Sequence, residues 1–335
     1  MTGFACTGCG RVWVWGSPPR PEACRWCGGA LESTGLEDSA LARPPGLVLP
    51  PRVDARQAAM ALREWVAEVP FAGPELLATG DALQFAWAPR WLVEQDVRAV
   101  LEVHLAFEEP VGTSLEGWVR GRWSRREPPR TRWETRVGRV ERRYPDLLVP
   151  AFVPAPVADA DRLDESVAAT PDAWSDPWLL PSRAPEEQVP AALSALRAAV
   201  VADAVRAAGA TRAEDLHLTL SPSSSAPEWT LQLVPMWIGR YRDNDGVVRV
   251  LTVNAVTGRC AGVRSSSRAV AAAYAGRQTA TGLAVALFAA FLALVGVIFW
   301  LLLPVSAAVG LLGLWLVLSA RSAGPAVVAW NRSEG

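Results

Sequence analysis

Four of the five cysteines fall into two C-x-x-C pairs, Cys6-Thr7-Gly8-Cys9 and Cys24-Arg25-Trp26-Cys27. Each pair lets two thiolates reach one ion, and four thiolates together satisfy a tetrahedral cation with the softness of zinc. Between the pairs, Arg11-Val12-Trp13-Val14-Trp15 alternates as a strand does, and Gly16-Ser17-Pro18-Pro19 turns the chain. Gly10 and Gly28 directly follow the second cysteine of each pair. Glycine there leaves room for backbone N–H groups to approach the sulfurs, the outer support such ligands need. The spacing therefore predicts a structural zinc ribbon over residues 1–31, with Cys6, Cys9, Cys24 and Cys27 as ligands. Two disulfides or a redox dithiol are the other chemistries open to this spacing, and a reducing compartment disfavours the first. With sulfur in all four positions no open site remains for a substrate. Cys260 stands alone in an apparent strand and is expected to be a small buried apolar residue.

Other chemistry is sparsely provided. All 33 basic residues are arginine, so no P-loop lysine, Schiff-base lysine or lysine base exists. His104 lies in an apolar strand pattern and His217 opens another, which suits core or edge positions better than ligands. Ser221–Ser225 lacks the G-x-S-x-G surroundings of a nucleophile elbow. No catalytic constellation is expected, and the net charge of −1 points to no particular partner.

The elements that carry these residues divide along the chain. From Gln278 to Ala320 no residue is charged, and Pro304 sits near the middle. Spanning a ~30 Å hydrocarbon core takes roughly 20 apolar residues, so the run fits two helices, 281–303 and 305–320, within a membrane hairpin over 267–321 and a tail over 322–335. Arg264, Arg268 and Arg277 precede the run and Arg321 and Arg332 follow it. Positive charge at both ends predicts a hairpin with both ends in the cytoplasm. Met1–Gly10 shows no apolar core of a signal peptide, which agrees with an inner-membrane protein whose head is cytoplasmic. Gly310 and Gly313, with Ala307, are candidates for a close-packed helix face.

The body between ribbon and membrane reads as mixed α+β. Residues 32–51 form a linker, and a helix starts at Asp54 as N-cap with Ala58, Leu62, Trp65, Val66 and Val69 on one face. Strand patterns follow at Ala82–Trp87, Trp91–Val103, Ser114–Trp123 and Arg132–Arg143. Asp159–Pro190 reads as acidic loop, and Glu186–Ala208 as a helix with Val189, Leu193, Leu196, Val200 and Val205 inward. Four further strands are expected at His217–Ser221, Glu228–Tyr241, Val247–Asn254 and Arg259–Val263, the middle two joined by the turn Asp243-Asn244-Asp245-Gly246. The P-x-W echo at Pro89-Arg90-Trp91 and Pro235-Met236-Trp237 suggests two related halves, 52–155 and 156–266. Trp118–Arg143 carries ten arginines among Trp118, Trp123 and Trp133 and reads as a ribbon turning at Pro128-Pro129. Its arginines either pair with Glu127, Glu134 and Glu141 or contact anionic lipid or nucleic acid, lipid being favoured for a tethered head.

The order of elements resembles a bacterial family of zinc-ribbon membrane proteins, often labelled primosomal-helicase-like or TFIIB-type zinc-ribbon proteins. The four-cysteine ribbon is followed by Leu49-Pro50-Pro51-Arg52-Val53 and the helix Asp54–Trp65, then by Trp87-Ala88-Pro89-Arg90-Trp91. Closest to the membrane stand Val234-Pro235-Met236-Trp237, Tyr241 and Val253-Asn254-Ala255-Val256-Thr257-Gly258, continuing to Gly262. Pro51 and Ala255 depart from the family pattern. A helicase activity is excluded, because no lysine is present to complete a phosphate loop. The resemblance implies a membrane adaptor for SPFH (flotillin-like) or phage-shock-protein-A-like partners. The expectation is thus a non-enzymatic scaffold on a bilayer anchor, with a membrane-tethered nucleic-acid-binding module as the alternative.

Overall fold

A computed structural model describes residues 2–15, 22–35, 44–109, 130–151, 166–169, 176–221, 224–296 and 303–334. Within them the head is α+β, and its strands join one mixed twelve-stranded sheet. The N-terminal strands β1 (Thr2–Cys6), β2 (Val12–Trp15) and β3 (Leu31–Thr34) form an antiparallel unit with β1 in the centre. The expected linker contributes β3 and then β4 (Leu47–Val48). Helix α1 (Ala55–Ala67) begins as its sequence dictates: Asp54 accepts the Gln57 N–H at 2.8 Å, and Gln57 returns a bond to the Asp54 N–H. Ala58, Leu62 and Val66 form its buried stripe. Helix α2 (Pro74–Ala78) follows.

The central strand β5 (Gln84–Glu109) is 26 residues long and joins two segments that the sequence separates at Pro89. Proline is tolerated there because partners change on that edge: β8 (Trp178–Leu179) pairs at Trp87, and β6 (Arg130–Pro150) pairs from Arg90 onward. Among the described residues β6 pairs with β5, with Glu109 opposite Arg130. The strand expected at Ser114–Trp123 and the turn at Pro128-Pro129 lie outside the described residues. β7 (Val167–Ala168) pairs β4. Helix α3 (Val189–Ala208) faces the sheet through Leu196 and Val200, as expected, and through Ala192, while Val189 is exposed. Alanines make this face narrow and flat enough to lie against Leu101, Val103 and Leu105 of β5.

β9 (Arg212–Leu220) pairs the far half of β5, and β10 (Glu228–Arg242) pairs its near half. β11 (Val248–Asn254) and β12 (Cys260–Gly262) complete that edge. Strands from before and after residue 155 thus interleave, and the two P-x-W motifs lie on the neighbouring strands β5 and β10, staggered so that Pro89 is opposite Leu233 and Pro235 opposite Trp87. One face of β10–β11 carries α1, with Leu62 and Val66 against Tyr241, Leu251 and Val253. The opposite face carries the N-terminal unit against Met236 and Ile238.

Two long helices close the chain, α4 (Arg268–Gly296) and α5 (Leu303–Glu334). They pack antiparallel. A Cβ on Gly282 would lie 2.8 Å from the Gly313 carbonyl and 2.8 Å from Val317, and Gly310 faces Ala289. Only glycine permits this approach. Residues 322–334, expected as a tail, continue α5 as helix back to the head.

Candidate metal centre

The structure brings Cys6, Cys9, Cys24 and Cys27 together at one end of the N-terminal unit, all four Sγ atoms within 4.8 Å of one another. Cys6 and Cys27 sulfurs are 3.4 Å apart and Cys9 and Cys24 sulfurs 3.8 Å apart. A disulfide needs about 2.0 Å, and all four are free thiols. A tetrahedral ion with Zn–S near 2.3 Å separates its sulfurs by about 3.8 Å, so the cluster has the dimensions to hold one metal ion. Among the described residues these cysteines are the one such grouping.

Local chemistry builds the cradle. Gly10 and Gly28 take φ of +70° and +80°, conformations a side chain would strain. Their N–H groups donate to the carbonyls of Cys6 and Cys24 at 2.9 and 2.8 Å, closing each knuckle. The donors to sulfur are their neighbours: Gly8 N–H to Cys6 Sγ and Gly29 N–H to Cys27 Sγ, both at 3.4 Å. Trp13 adds a side-chain donor, Nε1 to Cys24 Sγ at 3.2 Å, from a wholly buried ring. Burial raises the Cys24 thiol and pushes the Cys27 thiol up to about 12. At Cys6 burial acts in the same direction, but the N–H groups of Cys9 and Gly8 and the Cys27 side chain outweigh it and bring the thiol to about 7. A bound cation would displace these protons, so its uptake releases acid.

The knuckles are also tied to the sheet. Arg240 Nη1 donates to the Cys24 carbonyl at 3.0 Å and passes so close to Gly28 that a Cβ there would meet it. Arg25 donates to the Phe85 carbonyl. Trp13 and Val14 pair in register with Leu179 and Trp178 of β8. Phe4, Trp13, Trp15 and Trp26 then share one apolar cluster with Ala86, Ala88, Leu179, Met236 and Ile238. The grouping of the four cysteines was legible from spacing. Trp13 as a sulfur donor was not, and neither was Arg240, which comes from more than 200 residues away.

The remaining candidates stay apart from the cluster. His104 sits in β5 with its ring 5.0 Å from Trp133, and His217 sits in β9 opposite Glu102. Cys260 is half-buried rather than buried, and burial pushes its thiol up to about 11. The described arginines of the 118–143 segment are largely engaged. Arg132 and Arg136 pair with Glu134 at 2.8 and 3.0 Å, Arg142 with Asp203 at 2.9 Å and Arg143 with Glu94. Arg132 and Arg136 also lie over Phe107. Trp118–Pro129 falls outside the described residues.

Among the described residues three helices are long and apolar enough to cross a membrane: Pro185–Ala208, Arg268–Val295 and Pro304–Ser333. The first contains α3, whose apolar face is taken by the sheet. No family model, curated protein or solved structure matches this chain. The likeness to zinc-ribbon membrane proteins therefore rests on its motifs alone.

Proposed function

We propose that this chain is a membrane-anchored zinc-ribbon adaptor whose cytoplasmic head recruits protein partners to the inner membrane. The observation that carries the anchor is the distribution of exposed large apolar side chains. Leu283, Leu287, Phe291 and Leu294 on α4, and Leu311, Trp315 and Leu318 on α5, all point outward, Leu294 with 72% of its surface open. In water so continuous an apolar surface is a liability, and in lipid it is the stable state. The arginines at 268, 277, 321 and 332 flank both helix ends and support a hairpin with both ends on the cytoplasmic side.

Zinc is the ion the donor set favours, being four thiolates in closed tetrahedral reach. Cys6, Cys9, Cys24 and Cys27 would hold it, and the ion would stabilise the fold, leaving recruitment to the head's surface. The motifs shared with zinc-ribbon membrane proteins support an SPFH-like or phage-shock-protein-A-like partner, and a role in organising membrane domains or answering envelope stress. The test is affinity purification of the detergent-solubilised protein from its native host, with mass spectrometry and metal analysis. A stoichiometric protein of either class with one zinc per chain is expected. Co-purifying nucleic acid without a protein partner would replace this reading with a tethered nucleic-acid-binding module.

A further inference from the structure

The polypeptide enters the helix pair through a single connection, residues 263–267 between β12 and α4. That connection is held to the head by Asn244, which donates to the Ser266 carbonyl at 2.7 Å and accepts the Arg268 N–H at 2.9 Å. The far end of α5 adds a second attachment. Trp330 Nε1 donates to the Arg264 carbonyl at 3.0 Å. Asn331 grips Ser266 at two points, Oδ1 accepting its N–H at 2.7 Å and Nδ2 donating to its carbonyl at 3.2 Å. The Arg264 guanidinium lies between the rings of Trp65 and Trp330, 4.2 and 5.2 Å from their centroids, and donates to Glu68 at 3.0 Å. The C-terminal turn thus binds the connection, and the connection binds α1.

The same point is braced from the other side. Ser266 Oγ donates to the Pro70 carbonyl at 2.6 Å and the Ser267 N–H to the Phe71 carbonyl at 2.9 Å. Phe71 takes φ of +56°, a strained conformation for a bulky residue. Its ring meets Tyr274 of α4 at 5.4 Å and packs on Ala271, Ala323 and Val327. Strain, a buried guanidinium and a two-point amide contact therefore converge where head meets helices.

α5 is weakest just before this contact. Pro325 lies inside the helix and lacks the N–H that would reach the Arg321 carbonyl, and Gly324 precedes it. The weak turn falls between the last residue of the uncharged run, Ala320, and Trp330.

We infer that the C-terminal turn of α5 is a clasp. Closed, Trp330 and Asn331 fix the head's orientation on the helix pair. Opened by bending at Gly324-Pro325, the turn lets go of residues 264–266 and leaves the connection held by the head alone, through Glu68, Pro70, Phe71 and Asn244. Displacement of α5 along α4 then loosens the joint and changes how the head is presented. The device rests on the reading of α4 and α5 as the membrane anchor.

Hydrogen exchange of the full chain in lipid nanodiscs tests it, with Asn331→Ala, Trp330→Phe (which keeps a ring and loses the donor) and Pro325→Ala. Asn331→Ala and Trp330→Phe should speed exchange about tenfold at residues 264–271 and 326–334, leaving 278–320, β5 and β10 unchanged. Pro325→Ala should slow exchange at 326–334 below wild type. Unchanged exchange at 264–271 in both clasp variants would overturn the inference, as would an equal rise across β5 and β10. Carbonate extraction of membranes separates this outcome from failure of the anchor, since a protein that is not anchored is released whatever its clasp does.

Discussion

The two ends of this chain are joined to its sheet in opposite ways. The N-terminal four-cysteine unit is welded in: it pairs with β8, shares a cluster of tryptophans with β5 and β10, and receives Arg240 at the knuckle. The C-terminal helices meet the head at one small joint around Arg264 and Ser266, mostly polar with Phe71 and Trp330 as its apolar contacts, and beyond it pack on each other. Apolar burial scales with area and makes the first attachment cooperative. Hydrogen bonds are worth about 1 kcal/mol each, so the second attachment is local and separable. The metal unit and the sheet should therefore stand or fall together, with the helix pair as a second unit.

The largest effect expected from breaking this contrast comes from Cys9→Ser. Structural zinc contributes roughly 10–16 kcal/mol in small zinc modules, so losing one thiolate should release the ion and lower the unfolding temperature of the whole head. Carbonate extraction should find the protein still in the membrane. Next, Trp13→Ala empties a fully buried site and should cost the head about 3–5 kcal/mol by denaturant titration. Trp13→Phe should cost less, isolating the bond to Cys24 Sγ.

Gly282→Leu acts on the other unit. Forced against Gly313 and Val317, it should destabilise the helix pair by about 1–3 kcal/mol without changing zinc per chain, read by cross-linking α4 to α5 and by metal analysis. The smallest effect is the pH response of the β10–β11 turn. Burial alone would raise the Asp243 carboxyl, but Arg249 and the N–H groups of Asp245 and Val247 hold it below its usual value. A folded-state value below the unfolded one gives stability above about pH 4 that is lost as pH falls through the folded value. The stability gap between wild type and Asp243→Asn should accordingly shrink as pH drops from 6 to 3, in thermal midpoints measured pairwise.

What the sequence made legible was local chemistry. The Asp54 cap and the Asp243–Gly246 turn each encode their structure within a few residues and are present as read, and the cysteine spacing does bring four thiols together. What it concealed depends on partners distant in the chain. Pro89 looked like a strand boundary because its tolerance comes from an exchange of neighbours at the sheet edge. The pairing of the arginine-bearing β6 with β5 joins residues as far apart as Arg90 and Pro150, and no local pattern announced it. In α3 larger side chains at Val189 and Leu193 outweighed the alanines in the pattern, although Ala192 is buried and Val189 is not. Trp330 and Asn331 read as tail because their partners, Arg264 and Ser266, lie some 65 residues upstream.

Calorimetry of the detergent-solubilised protein, with metal bound and after chelation, tests the central claim most directly. The expected result is a single head transition that moves down as a whole when the metal is removed, beside a helix-pair transition that stays in place. A small transition that vanishes on chelation while the main one holds its temperature would contradict it, showing a metal ribbon that folds apart from the sheet.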